Sequence, residues 1–509
     1  MPADVLSNRV VCIHGHFYQP PRENPWTGRV ERQISADPHH DWNERITAEC
    51  YEPNTRARIL KADGQVDEYV NNFTKISFNF GPTLLRWMET EAPETYRTII
   101  AADRRSRLRF AGHGGAIAQA YHHSILPLAN RRDKITEVRW GIRDFEHRFK
   151  RRPEGMWLAE TAVNLETLEI LADAGIRFTI LSPFQAGRVR RPGDPSWMDV
   201  ADGSIDSRRA YRVQLPSGRF FSLFFYNGQL ARGVAFQGLL SNGDHLAELL
   251  MESFSNEPEE QLAHIATDGE SYGHHHQFGE MALAYALRVI DQSDEARLTV
   301  YGEFLERSPA QWNVEILENS SWSCVHGVER WRSDCGCHTG ALPGWNQRWR
   351  TPLRESLNWL RDEAARVYER QADGLLKDPW EARDDYVGLL LNRSQSAVRR
   401  FLSLWSARKR LTADQKDRIL DLLEMQRHSL MMFTSCGWFF NDISGIETVQ
   451  ILRYAGRVIE LVRKTSGTDL EPAFLARLAK ATSNIPKKGN GRDIYRRALE
   501  KARGEAAGR

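Results

Sequence analysis

From Arg9 to about Glu306, short apolar runs rich in β-branched and aromatic residues alternate with stretches whose apolar positions recur at helical spacing. Strands are expected at 10–14, 76–80, 108–111, 155–159, 178–181, 220–225, 262–267 and 298–300. Helices are expected from 83 to 88 and onward, and at 134–149, 163–174, 245–253 and 280–292. In the third helix Leu165, Leu168 and Leu171 share a face, and Gly175 stands where a C-terminal cap needs a left-handed residue. Strands alternating with helices imply βαβ units and a parallel sheet. So many repeats in one stretch favour a closed barrel over an open sheet. The segments 212–215 and 220–225, split by P-S-G-R, are expected to form an inserted hairpin.

The pattern changes after about Ser308. A segment rich in Trp, Gly and Cys (321–350) leads into long amphipathic patterns at 353–372, 380–407, 413–433, 446–464 and 471–481. The expected organisation is therefore an α/β barrel over 1–308, a connecting segment over 309–352 and an all-helical C-terminal domain over 353–509. The basic stretch from P-K-K-G-N-G-R onward is expected to be a solvated tail.

Composition narrows the function classes. A length of 509 residues accommodates more than one domain, and 41% hydrophobic with 27% charged residues is ordinary for a globular protein. A net charge of +2 gives no basic surface for nucleic acid or for an anionic membrane. The longest apolar runs, such as 220–225, are too short to cross a bilayer. The opening M-P-A-D-V-L-S-N-R-V-V-C lacks the basic and apolar parts of a secretory leader, so a cytoplasmic location is expected. Cys12, Cys50, Cys324, Cys335, Cys337 and Cys436 are too sparse and irregular for a disulfide framework. The chain is unusual in its 15 tryptophans, several beside charged residues. Most belong in a core, but a ring flanked by polar groups also makes a platform for a sugar.

Two apolar runs end in a carboxylate: G-M-W-L-A-E at Glu160 and L-A-H-I-A-T-D at Asp268. An acid at the C-terminal tip of a barrel strand stands on the face where such folds carry their chemistry. Two acids on one rim suit glycosidic bond cleavage, one attacking and one protonating the leaving oxygen. Other positions are open between roles. His14 and His16, in V-C-I-H-G-H-F-Y-Q-P-P, share one side of the first strand, and His14 suits a sugar contact, a metal or a hydrogen-bonded core. His113 lies among glycines in A-G-H-G-G-A, a segment equally suited to a ligand or a tight turn. Trp157 precedes Glu160, while Glu270 and a run of histidines that includes His274 follow Asp268; consecutive histidines on one loop rarely converge on a metal. Cys335, Cys337 and His338, with Cys324 nearby, lack the paired Cys-x-x-Cys spacing of a zinc site and are expected as packed free thiols.

Taken in order, H-G-H-F-Y-Q-P-P-R-E-N-P-W, G-M-W-L-A-E-T, A-T-D-G-E-S-Y-G-H, R-W-R-S-D-C-G-C-H and F-T-S-C-G-W-F-F-N-D-I-S-G-I-E resemble glycoside hydrolase family 57, in its α-amylase/α-mannosidase-like subgroup. The resemblance implies a distorted (β/α)7 TIM-like barrel followed by a helical domain, and a retaining double displacement on an oligo- or polysaccharide of α-glucan type. It implies Glu160 as nucleophile, Asp268 as general acid/base and His14 as a contact to the sugar at the cleaved bond. His16, His113, His274, Glu270, Arg330 and Asp334 are expected around that pair. Trp157, Trp331 and Trp438 are candidates for stacking on sugar rings, and Asp442 for a contact from the helical domain. No cofactor and no catalytic metal are implied.

The chain departs from the family pattern in two places. Phe17 and Tyr18 intervene before Gln19-Pro20, and Gly114-Gly115-Ala116 stands where glucan-active members tend to carry a glutamate. Both fall among the expected sugar contacts and bear on substrate rather than mechanism. The competing expectations are a zinc-dependent α-mannosidase- or polysaccharide deacetylase-like metalloenzyme, against which the first strand offers His-x-His rather than His-x-Asp, and a non-catalytic carbohydrate-binding protein.

Overall fold

The computed structural model describes residues 8–507; the opening residues that bear on a leader lie outside it. The chain forms two compact units, each assembled from separated segments. The first comprises Met1–Gln19, Arg32–Gln119 and Phe145–Trp322, the second Pro20–Glu31, Ala120–Asp144 and Ser323–Arg509. This division interleaves segments that the linear reading assigned to one barrel domain, because composition along a chain does not record which segments pack together.

The first unit is organised by the strand Arg9–Phe17, buried along almost its whole length. Burial on both faces is the reason this strand reads as a continuous run rather than an alternation. It pairs in parallel with Gln261–Asp268 from Arg9 opposite Gln261 to His16 opposite Asp268. On its other edge it meets Arg297–Leu298 near its start and Ser77–Phe80 near its end, both in parallel. Parallel pairing then passes through a Phe78–Ala116 bridge, the pair Ala118–Gln119 with Met156–Trp157, a Gly155–Phe178 bridge and the pair Phe178–Leu181 with Phe220–Phe225. Asn227 N donates to His264 O at 2.9 Å just beyond the last of these strands. All these strands run the same way, so their C-terminal tips define one rim.

Local chemistry sets the connecting helices. Asn164 caps Leu165–Asp173 by accepting from Thr167 N, and Gly175 follows it with φ 83°. The expected strand at 108–111 is instead the end of the helix Pro93–Arg109, whose inner face carries Ile99, Ile100, Ala102 and Asp103. The short apolar run was misleading because Leu108 points outward, 89% exposed. Just beyond the helix Ala111 and Gly112 both have positive φ, and the strand that follows is Ala118–Gln119. The expected hairpin exists as Ala210–Gln214 against Phe220–Phe225, but its second strand also belongs to the parallel series. From that hairpin a side sheet extends through Trp312–Ile316, Ala186–Arg190 and Met198–Asp199.

The second unit is helical. Its long members are Arg350–Ala372, Ala413–Met431, Ile446–Ser466 and Gly491–Ala507. The pattern expected as one helix over 380–407 is broken into Pro379–Asp385, Val387–Leu391 and Gln395–Trp405, with Asn392 extended and Ser394 capping the last piece. The basic C-terminal stretch is not a solvated tail. Its helix buries Ile494, Tyr495, Ala498, Leu499 and Ala502, and Leu499 packs so closely on Gly456 that a Cβ there would stand 2.3 Å from it. The positive charges conceal an amphipathic period. Among the described residues no helix is long and apolar enough to cross a membrane.

An ion pair is buried within this unit. Arg383 Nη1 donates to Asp133 Oδ1 at 2.7 Å and Nη2 to Thr136 Oγ1 at 2.7 Å, with the Arg383 side chain 2% exposed. Removing one member of such a pair strands a charge in a low-dielectric interior. Asp133→Ala is expected to destabilise the second unit by about 3–5 kcal/mol, read as an earlier unfolding transition in denaturant. A loss below about 1 kcal/mol, the range of exposed pairs, would show that the guanidinium is hydrated instead.

Candidate active site

The rim of the first unit gathers the side chains at the tips of its parallel strands. His14 and His16 come from the first strand, Asn79 from the second, Gln119 and Trp157 from the next pair, and Asp268 from the strand opposite His16. His14 is fully buried; Ser77 Oγ lies 3.0 Å from its Nδ1 and Asn79 Oδ1 lies 3.0 Å from its Nε2. With the carboxamide oxygen accepting from Nε2–H, the serine hydroxyl donates to Nδ1, which is the pattern of a neutral ring. Burial agrees, pushing the His14 pKa down to about 3. Asn79 Nδ2 in turn donates to His16 Nδ1 at 2.9 Å and to Gln119 Oε1 at 2.7 Å. One carboxamide thus orients two imidazoles and a second carboxamide.

Trp157 forms the floor beneath these histidines. Its ring stacks on His14 at 5.1 Å and on His16 at 4.8 Å, and Trp322 meets it edge-on at 5.1 Å. Trp157 has no exposed surface, so its aromatic face supports the imidazoles and is closed to a sugar. Tyr18 also stacks on His16 at 5.8 Å.

Glu160 sits just past the strand Met156–Trp157 in a left-handed conformation, φ 56° and ψ 23°, and Thr161 follows with φ 51°. Consecutive non-glycine residues there cost free energy, and such strain persists where the surroundings over-determine it. Here Trp322 clamps the residue twice: its backbone N donates to Glu160 O at 3.1 Å and its indole Nε1 to Glu160 Oε2 at 2.9 Å. Val163 N, donating to Ser320 O at 3.1 Å, holds the two segments side by side. The carboxylate stays partly exposed.

Asp268 differs in environment. Its side chain is exposed at the end of a strand that is otherwise buried, with protein packed around its base. That desolvation, followed by the negative charges of Glu270 and Glu160, raises its pKa well above the usual carboxylate range. Its protonated form is thereby favoured relative to an ordinary carboxylate. Glu270 is buried, accepts from Tyr18 N at 3.0 Å and from Tyr51 Oη at 2.5 Å, and is itself pushed up to about 7 by desolvation. Tyr226, at the tip of Phe220–Phe225, has its pKa pushed up chiefly by burial, with proximity to Asp268 a smaller cause, and meets Trp322 edge-on at 6.4 Å.

Other expected site residues lie elsewhere. His113 precedes the strand tips rather than following them: its Nδ1 is 3.0 Å from Glu154 and its Nε2 2.8 Å from Glu306, at the opposite end of the strands. The misplacement follows from reading 108–111 as a strand. His274 pairs with Glu49 at 2.5 Å and His276 with the Ala235 carbonyl at 3.0 Å, so the consecutive histidines diverge. Trp331, Asp334, Trp438 and Asp442 belong to the second unit. Trp331 and Trp438 have no exposed surface, and Trp438 lies under the Arg354 guanidinium at 4.1 Å. Asp334 accepts from Gln347 N at 2.8 Å. Asp442 accepts from Ser483 Oγ at 2.8 Å and Asn484 N at 2.6 Å. Arg330 donates to the Phe439 and Ser323 carbonyls.

Sequence reasoning missed Asn79, Gln119, Tyr226 and Trp322. The first three end β-rich runs, a position that marks the rim, but none carries a charge near neutral pH and none drew notice. Trp322 lies outside the strand series, and only its contact with Glu160 reveals it.

One rim of a parallel α/β unit thus carries an aspartic acid whose pKa is raised and a glutamate on a strained turn. The chain belongs to glycosyl hydrolase family 57, whose family model matches residues 14–316. Residues 345–507 match a model described as a domain of unknown function (DUF3536). Among curated relatives, the chain is 26% identical to alpha-amylase 1 of Dictyoglomus thermophilum over 21% of this chain and 15% of that protein. It is 18% identical to the 4-alpha-glucanotransferase of Thermococcus litoralis over 49% of this chain and 36% of that protein. The chain thus spans well under half the length of these relatives. In fold it is similar to an exo-type maltose-forming amylase from Pyrococcus sp. ST04, with a TM-score of 0.70 at 14% identity, covering 97% of this chain and 88% of that one. The branching enzyme of Pyrococcus horikoshii gives 0.55 at 15% identity over 97% and 95%.

The raised pKa of Glu270 has a consequence for stability. An unfolded glutamate ionises near its ordinary 4.5, whereas the folded one holds its proton to about 7. The folded state therefore binds more protons between those values, and stability falls as pH rises through that window and then levels. Glu270→Gln is expected to remove about 3 kcal/mol of this pH dependence, seen in denaturant unfolding of both proteins from pH 4.5 to 8. Parallel curves for the two would show that Glu270 ionises normally in the fold.

Proposed function

We propose that this chain is a retaining α-glycoside hydrolase or transglycosylase acting on α-glucan-like oligo- or polysaccharides, with Glu160 as nucleophile and Asp268 as general acid/base. The observation that carries the proposal is the divergence of two acids at strand tips on one rim: the Asp268 pKa is raised by desolvation and by its negative neighbours, while Glu160 accepts an indole hydrogen bond on a strained turn. Environments that set two carboxyls apart assign an acid and a base. The series of parallel strands from Arg9–Phe17 round to Gln261–Asp268 supports the family's (β/α)7 barrel as the frame.

In the proposed reaction Glu160 attacks the anomeric carbon as Asp268 passes its proton to the glycosidic oxygen, and the C–O bond to the leaving sugar breaks. Asp268, now ionised, takes a proton from water or from an acceptor sugar hydroxyl, and that oxygen displaces Glu160 with net retention. Choice of acceptor separates hydrolysis from transfer. The α-glucan class is supported by the amylase, glucanotransferase and branching-enzyme names borne by the similar proteins. A metal at the His-x-His of the first strand is disfavoured, because both nitrogens of His14 and Nδ1 of His16 are already committed to Ser77 and Asn79.

The test is anomer-resolved NMR of products from a panel of α-gluco-, α-galacto- and α-manno-oligosaccharides, for wild type, Glu160→Ala and Asp268→Ala. Retained configuration on the α-gluco members, lost by at least about a thousandfold in each variant, is expected. Inverted products, or turnover that survives Glu160→Ala, would overturn the assignment. Trp322→Phe keeps the ring and deletes the donor to Glu160. A bond to a charged group contributes about 1.5–3 kcal/mol, so a fall of about 10- to 100-fold in kcat is expected; unchanged kcat would mean the indole does not orient the carboxylate. Because Asp268 acts in its protonated form, kcat/KM should decline as pH rises through its raised pKa. Glu270→Gln removes a negative neighbour and should move that decline to lower pH.

A further inference from the structure

The second unit brings together three thiols and an imidazole that the proposed reaction does not use. Cys324, His326, Cys335 and Cys337 place their donor atoms within 4.8 Å of one another. Cys324 Sγ lies 3.9 Å from Cys335 Sγ and 3.8 Å from Cys337 Sγ, and Cys337 Sγ lies 3.6 Å from His326 Nδ1. These separations are too long for a disulfide, whose sulfurs stand about 2.0 Å apart. They match the edges of a tetrahedron around one zinc ion: with Zn–S of about 2.3 Å and Zn–N of about 2.0 Å, the S···S edge is about 3.8 Å and the S···N edge about 3.5 Å. We propose that Cys324, His326, Cys335 and Cys337 form a structural Cys3His zinc site.

The local chain is built for such a site. The ligands come in two arms, Cys-x-His and Cys-x-Cys, with Gly327 at φ 81° just after the first and Gly336 at φ 79° inside the second. Left-handed glycines let each arm turn its donors toward a common centre. Three thiolates and one imidazole around zinc carry a net negative charge. Arg350, whose Nη1 lies 3.7 Å from Cys335 Sγ, supplies the compensating cation. The segment from Ser321 to Trp349 has a single 3-10 turn, Glu329–Trp331, as its regular structure. A tether of this kind replaces the backbone ladders such a segment lacks. The three cysteines are free thiols, as expected. His338, adjacent to Cys337 in sequence, lies outside the cluster, its Nδ1 accepting from Ala341 N at 3.1 Å; the imidazole that joins the thiols is His326, two residues after Cys324. A closed set of four protein ligands leaves no open position, so the site is structural rather than catalytic.

The test is elemental analysis of the full chain after dialysis against zinc and removal of excess. About one zinc per chain is expected, falling below about one tenth in the Cys335→Ser/Cys337→Ser double variant. His326→Gln alters an exposed side chain, so it keeps the test valid where the double variant fails to fold; it should bind zinc at least about tenfold more weakly. Cobalt(II) added to chelator-stripped protein should give the thiolate-to-metal absorption of a tetrahedral sulfur site. No zinc retained by the wild-type chain, zinc content indifferent to both variants, or a disulfide among these cysteines by mass spectrometry of the purified protein would each overturn the proposal.

Discussion

The register of one strand pair underlies the rest of the first unit. Arg9–Phe17 lies beside Gln261–Asp268 in parallel over eight consecutive Cα partners, and the last of them sets His16 opposite Asp268. Because side chains alternate, a slip of one residue would turn His14 and His16 away from Asn79 and Trp157. Parallel pairing fixes direction as well: residues far apart in sequence, from Asn79 to Asp268, reach the same rim only because every strand of the series runs the same way. Burial on both faces makes that register costly to change.

On this frame the site distinguishes two carboxyls by surroundings rather than by residue type. Asp268, though exposed at its strand tip, has its charged form disfavoured by desolvation at its base and by two negative neighbours. Glu160 is partly exposed and receives a hydrogen bond from Trp322. Glu270, unlike Asp268, is buried, and it is supplied with donors by Tyr51 and the Tyr18 backbone. Its negative charge is one of the causes that raise the Asp268 pKa. The aromatic residues serve this arrangement from beneath. Trp157 backs the imidazoles and Trp322 holds the glutamate, and neither role requires an exposed ring.

Most strands of the first unit were legible because double burial writes an uninterrupted apolar run, and the tip acids could be found because a carboxylate ending such a run is conspicuous. What escaped was of two kinds. Neutral polar residues at strand tips, Asn79 and Gln119, carry no signature until their partners are seen. Segments that work at a distance in sequence, such as Trp322 on Glu160 or His326 beside Cys337, are invisible to spacing rules. Two errors had local causes: Leu-Arg-Phe at a helix end imitated a strand and drew His113 to the wrong end of the sheet, and the basic residues of Gly491–Ala507 hid the apolar stripe beneath them. The interleaving of the two units left no trace in composition at all.

The Ser77–His14–Asn79–His16 chain gives the rim a particular stiffness. As the hydrogen bonds run, His16 accepts at Nδ1 and so bears its hydrogen on Nε2, while His14 is uncharged and sealed from solvent. The groups along this edge are buried dipoles of fixed orientation rather than ions. Their order should therefore be indifferent to ionic strength, since there is no net charge along the chain for salt to screen.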